Sequence, residues 1–146
     1  MGSWLTEVIV SPMAPHINPL AVLVAAVSMF LIGGLWYSPL LFARPWMAAN
    51  GFTELGLRDQ GGTGRIFGGA FVLALLSAVN LAAYLGGPDT TAVWGAAAGA
   101  LTAVWIVAAI GIVYLFERRK MKLFLINAGY FVVAFPVMGF VLGVWR

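Results

Sequence analysis

The sequence predicts an all-α integral membrane protein, an antiparallel four-transmembrane-helix bundle with both termini on the outer (periplasmic) face. Three observations lead there. Four apolar stretches, about 20–43, 66–86, 92–116 and 123–145, each reach the ~20 residues of helix that cross a hydrocarbon core. Charge is scarce: 9% of the 146 residues against roughly 25% in soluble domains, and none in the central part of a stretch. The basic residues also fall on alternate connections. Residues 44–65 carry Arg44, Arg58 and Arg65, and residues 117–122 carry Arg118, Arg119, Lys120 and Lys122. Two spans separate these loops, so one face holds seven of the eight basic residues. Basic loops stay cytoplasmic, which puts both termini outside.

Taken in order, residues 1–17 form an outer-face leader. They lack the basic start of a signal peptide, and Pro12, Pro15 and Pro19 interrupt any apolar helix. Trp4, Leu5, Val8, Ile9 and Val10 are expected to rest at the membrane surface. Residues 18–146 make the membrane domain. Asn18 is placed to cap span one, with Pro19 as its first residue, where a missing N–H is harmless. Pro39 should kink or end that helix. In the cytoplasmic loop 44–65, Phe52-Thr53-Glu54-Leu55 suits a short surface helix. Gly61-Gly62-Thr63-Gly64-Arg65 lacks the Lys-Ser/Thr of a phosphate-binding loop and reads as a flexible lead into span two. Gly86-Gly87-Pro88 stops span two, and Thr90 or Thr91 starts span three. Trp36, Tyr37 and Trp46 mark the inner water boundary, and Tyr84, Trp94 and Trp145 the outer one. The short turns 87–91 and 117–122 imply that consecutive spans lie side by side and antiparallel.

Inside lipid, helices associate through close backbone approach rather than by expelling water. Small residues at fourfold spacing supply that on span two (Ala70, Ala74, Ala78, Ala82, Gly86), span three (Gly95, Gly99, Ala103, with Gly111 beyond) and span four (Gly139, Gly143). On span one, Ala25 or Ala26 leads to Gly33 and Gly34. Helix packing or oligomer contact is expected chiefly at Gly95, Gly99, Ala103, Gly139, Gly143, Ala74 and Ala78, with the span-four pair facing another subunit. A faint repeat relates Gly34-Leu35-Trp36-Tyr37 to Gly111-Ile112-Val113-Tyr114, though common membrane residues produce such matches by chance.

The chemistry is sparse. Proton-coupled carriers generally place an ionisable group at depth, and these spans have none. Milder polar residues are Ser28, Ser77, Asn80, Thr102, Asn127 and Tyr130. Asn80 and Asn127 suit interhelical hydrogen bonds of ~1 kcal/mol each. Asn80, Thr102, Asn127 and Tyr130 form a candidate polar path. Trp105, central in span three, is expected to pack. His16 is the sole histidine and there is no cysteine, so a protein-only metal site is not expected. Glu54 and Asp59 read as solvated loop carboxylates. Arg118, Arg119, Lys120 and Lys122 form a cytoplasmic basic patch suited to anionic lipid. No nucleophile–base pair is visible. The chain is therefore expected to be no enzyme, to use no cofactor and to bind no nucleic acid, its basic residues serving topology.

The run Gly34-Leu35-Trp36-Tyr37-Ser38-Pro39-Leu40-Leu41-Phe42, followed by Pro45-Trp46-Met47, resembles the uncharacterised bacterial membrane family DUF1761. Phe116-Glu117-Arg118 and Ile126-Asn127-Ala128-Gly129-Tyr130 are similar to its later pattern. The resemblance covers nearly all of 18–145, implies a four-helix membrane domain and brings no activity with it. The expected function is that of a non-catalytic multi-pass protein of the bacterial inner membrane. It would act by helix association in the lipid bilayer, with itself or as accessory subunit of another membrane protein. The alternative is an oligomeric transporter or channel for a small solute or ion.

Overall fold

The computed structural model describes residues 15–145, so the expected surface segment from Trp4 to Val10 lies outside the described residues. Among these there are six helices and no strand: α1 (Pro19–Trp36), α2 (Ala43–Asn50), α3 (Glu54–Asp59), α4 (Thr63–Tyr84), α5 (Ala92–Phe116) and α6 (Met121–Val144). Four of them, α1, α4, α5 and α6, are long and apolar enough to cross a membrane.

Local chemistry sets the helix limits. Asn18 Oδ1 accepts from the N–H groups of Leu20 and Ala21 at 3.0 and 3.2 Å, and Pro19 opens α1. That helix stops at Trp36, short of the expected 43. Pro39 disfavours the helical conformation at Ser38 and has no N–H to offer the Leu35 carbonyl, which accepts instead from the Ser38 hydroxyl at 2.7 Å. The chain turns and restarts as α2. The 44–65 loop is thus largely helical: α2 and then α3, where Thr53 Oγ1 accepts from Gly56 N–H at 3.1 Å. Gly61 and Gly62, both left-handed (φ 60° and 72°), bring the start of α4 forward to Thr63. Thr91 caps α5 by accepting from Trp94 N–H at 3.2 Å. Between α5 and α6, Arg118 is left-handed (φ 54°), and the N–H groups of Arg118 and Arg119 return to the carbonyls of Leu115 and Tyr114. This is a Schellman ending with arginine where glycine is usual.

The tightest seam joins α5 to α6. A Cβ added at Gly95 would collide with the Gly139 carbonyl, one at Gly99 with the Phe135 carbonyl, and one at Gly143 with the Thr91 carbonyl. The partner numbers run in opposite order, so the two helices are antiparallel with backbones in contact. Gly139 and Gly143, expected to face another subunit, are instead covered by α5. Helix α6 also packs against α1, and α1 against α4. Helices α1 and α4 pack together, and Ala21, Ala25 and Ala26 of the first and Ala74, Ala78 and Ala82 of the second are all buried in one core cluster. Small side chains let these axes approach; no polar or charged residue is buried among the described residues.

A further expectation fails. Spans two and three are consecutive but not packed: α4 makes almost no close backbone approach to α5. The alanine stripe of α4 is committed to α1, while Leu76, Asn80 and Tyr84 on its other side stand across an open cleft from Leu101 and Trp105. Residues 85–91 are long enough to let the helices part. In space the packed order is α5, α6, α1, α4.

Candidate functional site

The end of α1 and the first turns of α6 meet in a polar knot. Trp36 Nε1 donates to the Ile126 carbonyl at 2.9 Å. Its ring lies where Gly129 leaves room, since a Cβ there would stand 2.9 Å from the Trp36 Cζ2. The Tyr37 hydroxyl donates to Asn127 Oδ1 at 2.8 Å, and Asn127 Nδ2 donates to the Tyr114 oxygen, also at 2.8 Å. Tyr130 donates to the Met29 carbonyl at 3.2 Å. The Tyr37 ring sits 5.7 Å from those of Tyr130 and Trp46. One asparagine therefore ties α1, α5 and α6 together, as a polar side chain away from water requires.

This knot is only partly visible in the sequence. Asn127 was a candidate for an interhelical bond, and it makes two. Trp36 and Tyr37, read as boundary aromatics, are half-buried and bonded to α6. The faint repeat contained the missing signal. Tyr37 and Tyr114 close its two halves, and both converge on Asn127.

The other polar residues lie elsewhere. A cleft of about 400 Å³ separates α4 from α5, floored by Phe135 of α6 and lined by Ser77, Asn80, Thr102 and Trp105. A second, of about 630 Å³, opens between α1 and α4 toward the end carrying the basic loops, with Gly34, Tyr37, Phe67 and Tyr130 on its walls. The two clefts share Ser77, Ile106 and Phe135, so together they form a groove along α4. The α4 residues facing it, Ile66, Ala70, Leu73, Ser77, Asn80 and Tyr84, recur at three- and four-residue spacing, one helical face. The proposed path is thus divided. Asn80 and Thr102 line the first cleft, Tyr130 the second, and Asn127 is held in the knot.

The hydroxyls in the groove are turned inward on their own helices: Ser77 donates to the Leu73 carbonyl at 3.0 Å and Thr102 to the Ala98 carbonyl at 2.9 Å. Asn80 and Trp105 differ, as neither makes a hydrogen bond among the described residues. Trp105 is 71% exposed near the middle of α5, so it does not pack inside the protomer as expected. At that depth an indole is away from the interface zones tryptophan favours.

The basic patch is exposed. Arg119 Nε pairs with Glu117 at 2.9 Å, and that hydrogen bond and charge hold its guanidinium above its ordinary pKa. Arg118, Lys120 and Lys122 are exposed beside it, and His16 is exposed at the other end. No group of three or more metal-ligating side chains exists among the described residues.

The class of molecule these helices define is a multi-pass membrane protein. Residues 20–143 match the family described as "Protein of unknown function (DUF1761)", and the chain belongs to that family. Two of the segments that carry the resemblance, Trp36-Tyr37 and Ile126 to Tyr130, are the surfaces that form the knot. No curated protein and no solved structure matches the chain.

Proposed function

We propose that the protein is a non-catalytic component of the bacterial inner membrane that works by helix association, as a homo-oligomer or as accessory subunit of a larger complex. One observation carries this reading: Asn80 and Trp105 line the same membrane-facing cleft with no partner for carboxamide or indole N–H. An unsatisfied polar group facing hydrocarbon is unfavourable, and a helix from another chain seated between α4 and α5 would supply both acceptor and packing. The basic loops face the cytoplasm and both termini the periplasm.

Native mass spectrometry from the protein's own membrane tests the proposal. Wild type should emerge with a second polypeptide or as an oligomer, and Asn80→Leu with Trp105→Leu should reduce that assembly while the protomer stays folded. A monomer in both cases overturns it. Orientation is tested with Arg119→Cys and Asp89→Cys. The first should label only from the cytoplasmic side and the second only from outside.

Transport by an oligomer is the second reading, favoured by the continuous groove that joins Asn80 and Thr102 to Tyr130. If Asn80→Leu abolishes a solute flux in vesicles without changing assembly, this reading replaces the first.

A further inference from the structure

The wider cleft, between α1 and α4 at the end carrying the basic loops, is apolar along its walls. It is open at Gly34, where an added Cβ would meet nothing within 4 Å. Its volume, about 630 Å³, lies within the range of ligand sites. Its walls are apolar, so a hydrocarbon chain suits it better than water. The open question is what stands at its mouth.

Three features of that mouth share a sign. Arg65 is exposed and immediately precedes Ile66, the cleft residue at the start of α4. No acidic residue occupies the first turn of α4, and no side chain caps it, Gly62 being its N-cap. The positive end of the helix dipole and its first N–H groups are therefore uncompensated beside a guanidinium. Six further basic residues occupy the loops at that end of the molecule, Arg44, Arg58, Arg118, Arg119, Lys120 and Lys122.

We infer that this cleft is a binding site for an anionic phospholipid of the leaflet on the basic-loop side, with one acyl chain between α1 and α4 and the phosphate against Arg65. The apolar walls accept the chain, and the charge at the mouth complements the headgroup. A second copy of the protein would bring the same positive loops to this end and meet repulsion there. The inference does not rest on the association reading, which concerns Asn80 and Trp105 at the other end of the same groove.

The test uses the full chain in nanodiscs of phosphatidylcholine with and without phosphatidylglycerol, read by native mass spectrometry of the released protein. Wild type should retain phosphatidylglycerol in preference to phosphatidylcholine. Gly34→Leu, whose Cβ meets nothing within 4 Å and whose side chain extends into the cleft, should lose the retained lipid of either kind. Arg65→Gln should still hold a lipid but lower the headgroup preference roughly fivefold. Far-ultraviolet circular dichroism and thermal melting in the same nanodiscs check that each variant remains folded. Equal retention by wild type and Gly34→Leu overturns the site. An unchanged headgroup preference in Arg65→Gln overturns the role of charge. A dimer lost in Gly34→Leu with no lipid retained would assign the cleft to a second copy instead.

Discussion

The two flanks of this molecule solve the same problem in opposite ways. On one, α5 and α6 meet through Gly95, Gly99, Gly139 and Gly143, and each Cα lies against a carbonyl of the other helix. On the other, α4 leans on α1 through alanines and leaves its opposite face, from Ile66 to Tyr84, over a groove. Both helices of each pair are apolar, so hydropathy does not distinguish them. The difference lies in how small the residues are and which way they face. Glycines on both sides close a seam completely. A stripe of alanines fastens one face and leaves the other for something else.

The largest expected effect comes from breaking the closed side. Gly95→Leu or Gly139→Leu drives a side chain into a backbone carbonyl that cannot move without moving its helix. Overpacking of that kind should destabilise by about 3 kcal/mol or more, read as loss of folded protein in a denaturing-detergent titration. The open side offers the contrast. Nothing lies within 4 Å of a Cβ built at Gly69, so Gly69→Ala should instead gain about 0.5–1 kcal/mol from helix propensity. If both substitutions behave alike, the two flanks do not differ as described.

The asparagines sharpen the same comparison. Asn127→Leu strands the hydroxyls of Tyr37 and Tyr114 and should cost about 1–3 kcal/mol in the same titration. Asn80→Leu removes no bond within the protomer and should change its stability by less than about 0.5 kcal/mol, its effect appearing in assembly. Equal losses would mean that Asn80 is held inside the protomer after all. A modest effect belongs to the α5–α6 turn. Arg118→Gly relieves a left-handed arginine and should raise the melting temperature modestly, by about 1 kcal/mol of stability.

The contrast also explains what the sequence could disclose. The limits of α5, 92–116, coincide with the apolar stretch because Thr91 and the charged Glu117 stand at its ends. The apolar stretch of span one outruns its helix because Leu40, Leu41 and Phe42 keep it apolar after Pro39 has already turned the chain. Hydropathy does not register that turn. The small stripes were legible as stripes, but their direction was not, since the face a helix presents depends on partners far away in sequence. The short α4–α5 connection misled for that reason, and so did the pair Gly139 and Gly143. Asn127 could be picked out as a bonding residue. Its partners, 90 positions before it and 13 before it, could not.

Asn127 also gives the knot a direction. Tyr37 gives its proton to the carboxamide oxygen, and the carboxamide nitrogen gives one to the Tyr114 oxygen. Each member of such a chain polarises the next. The polarity runs from α1 through α6 to α5, where the Tyr114 oxygen accepts. Tyr37→Phe is therefore expected to weaken the bond that Asn127 makes to α5, on a helix Tyr37 itself does not bond.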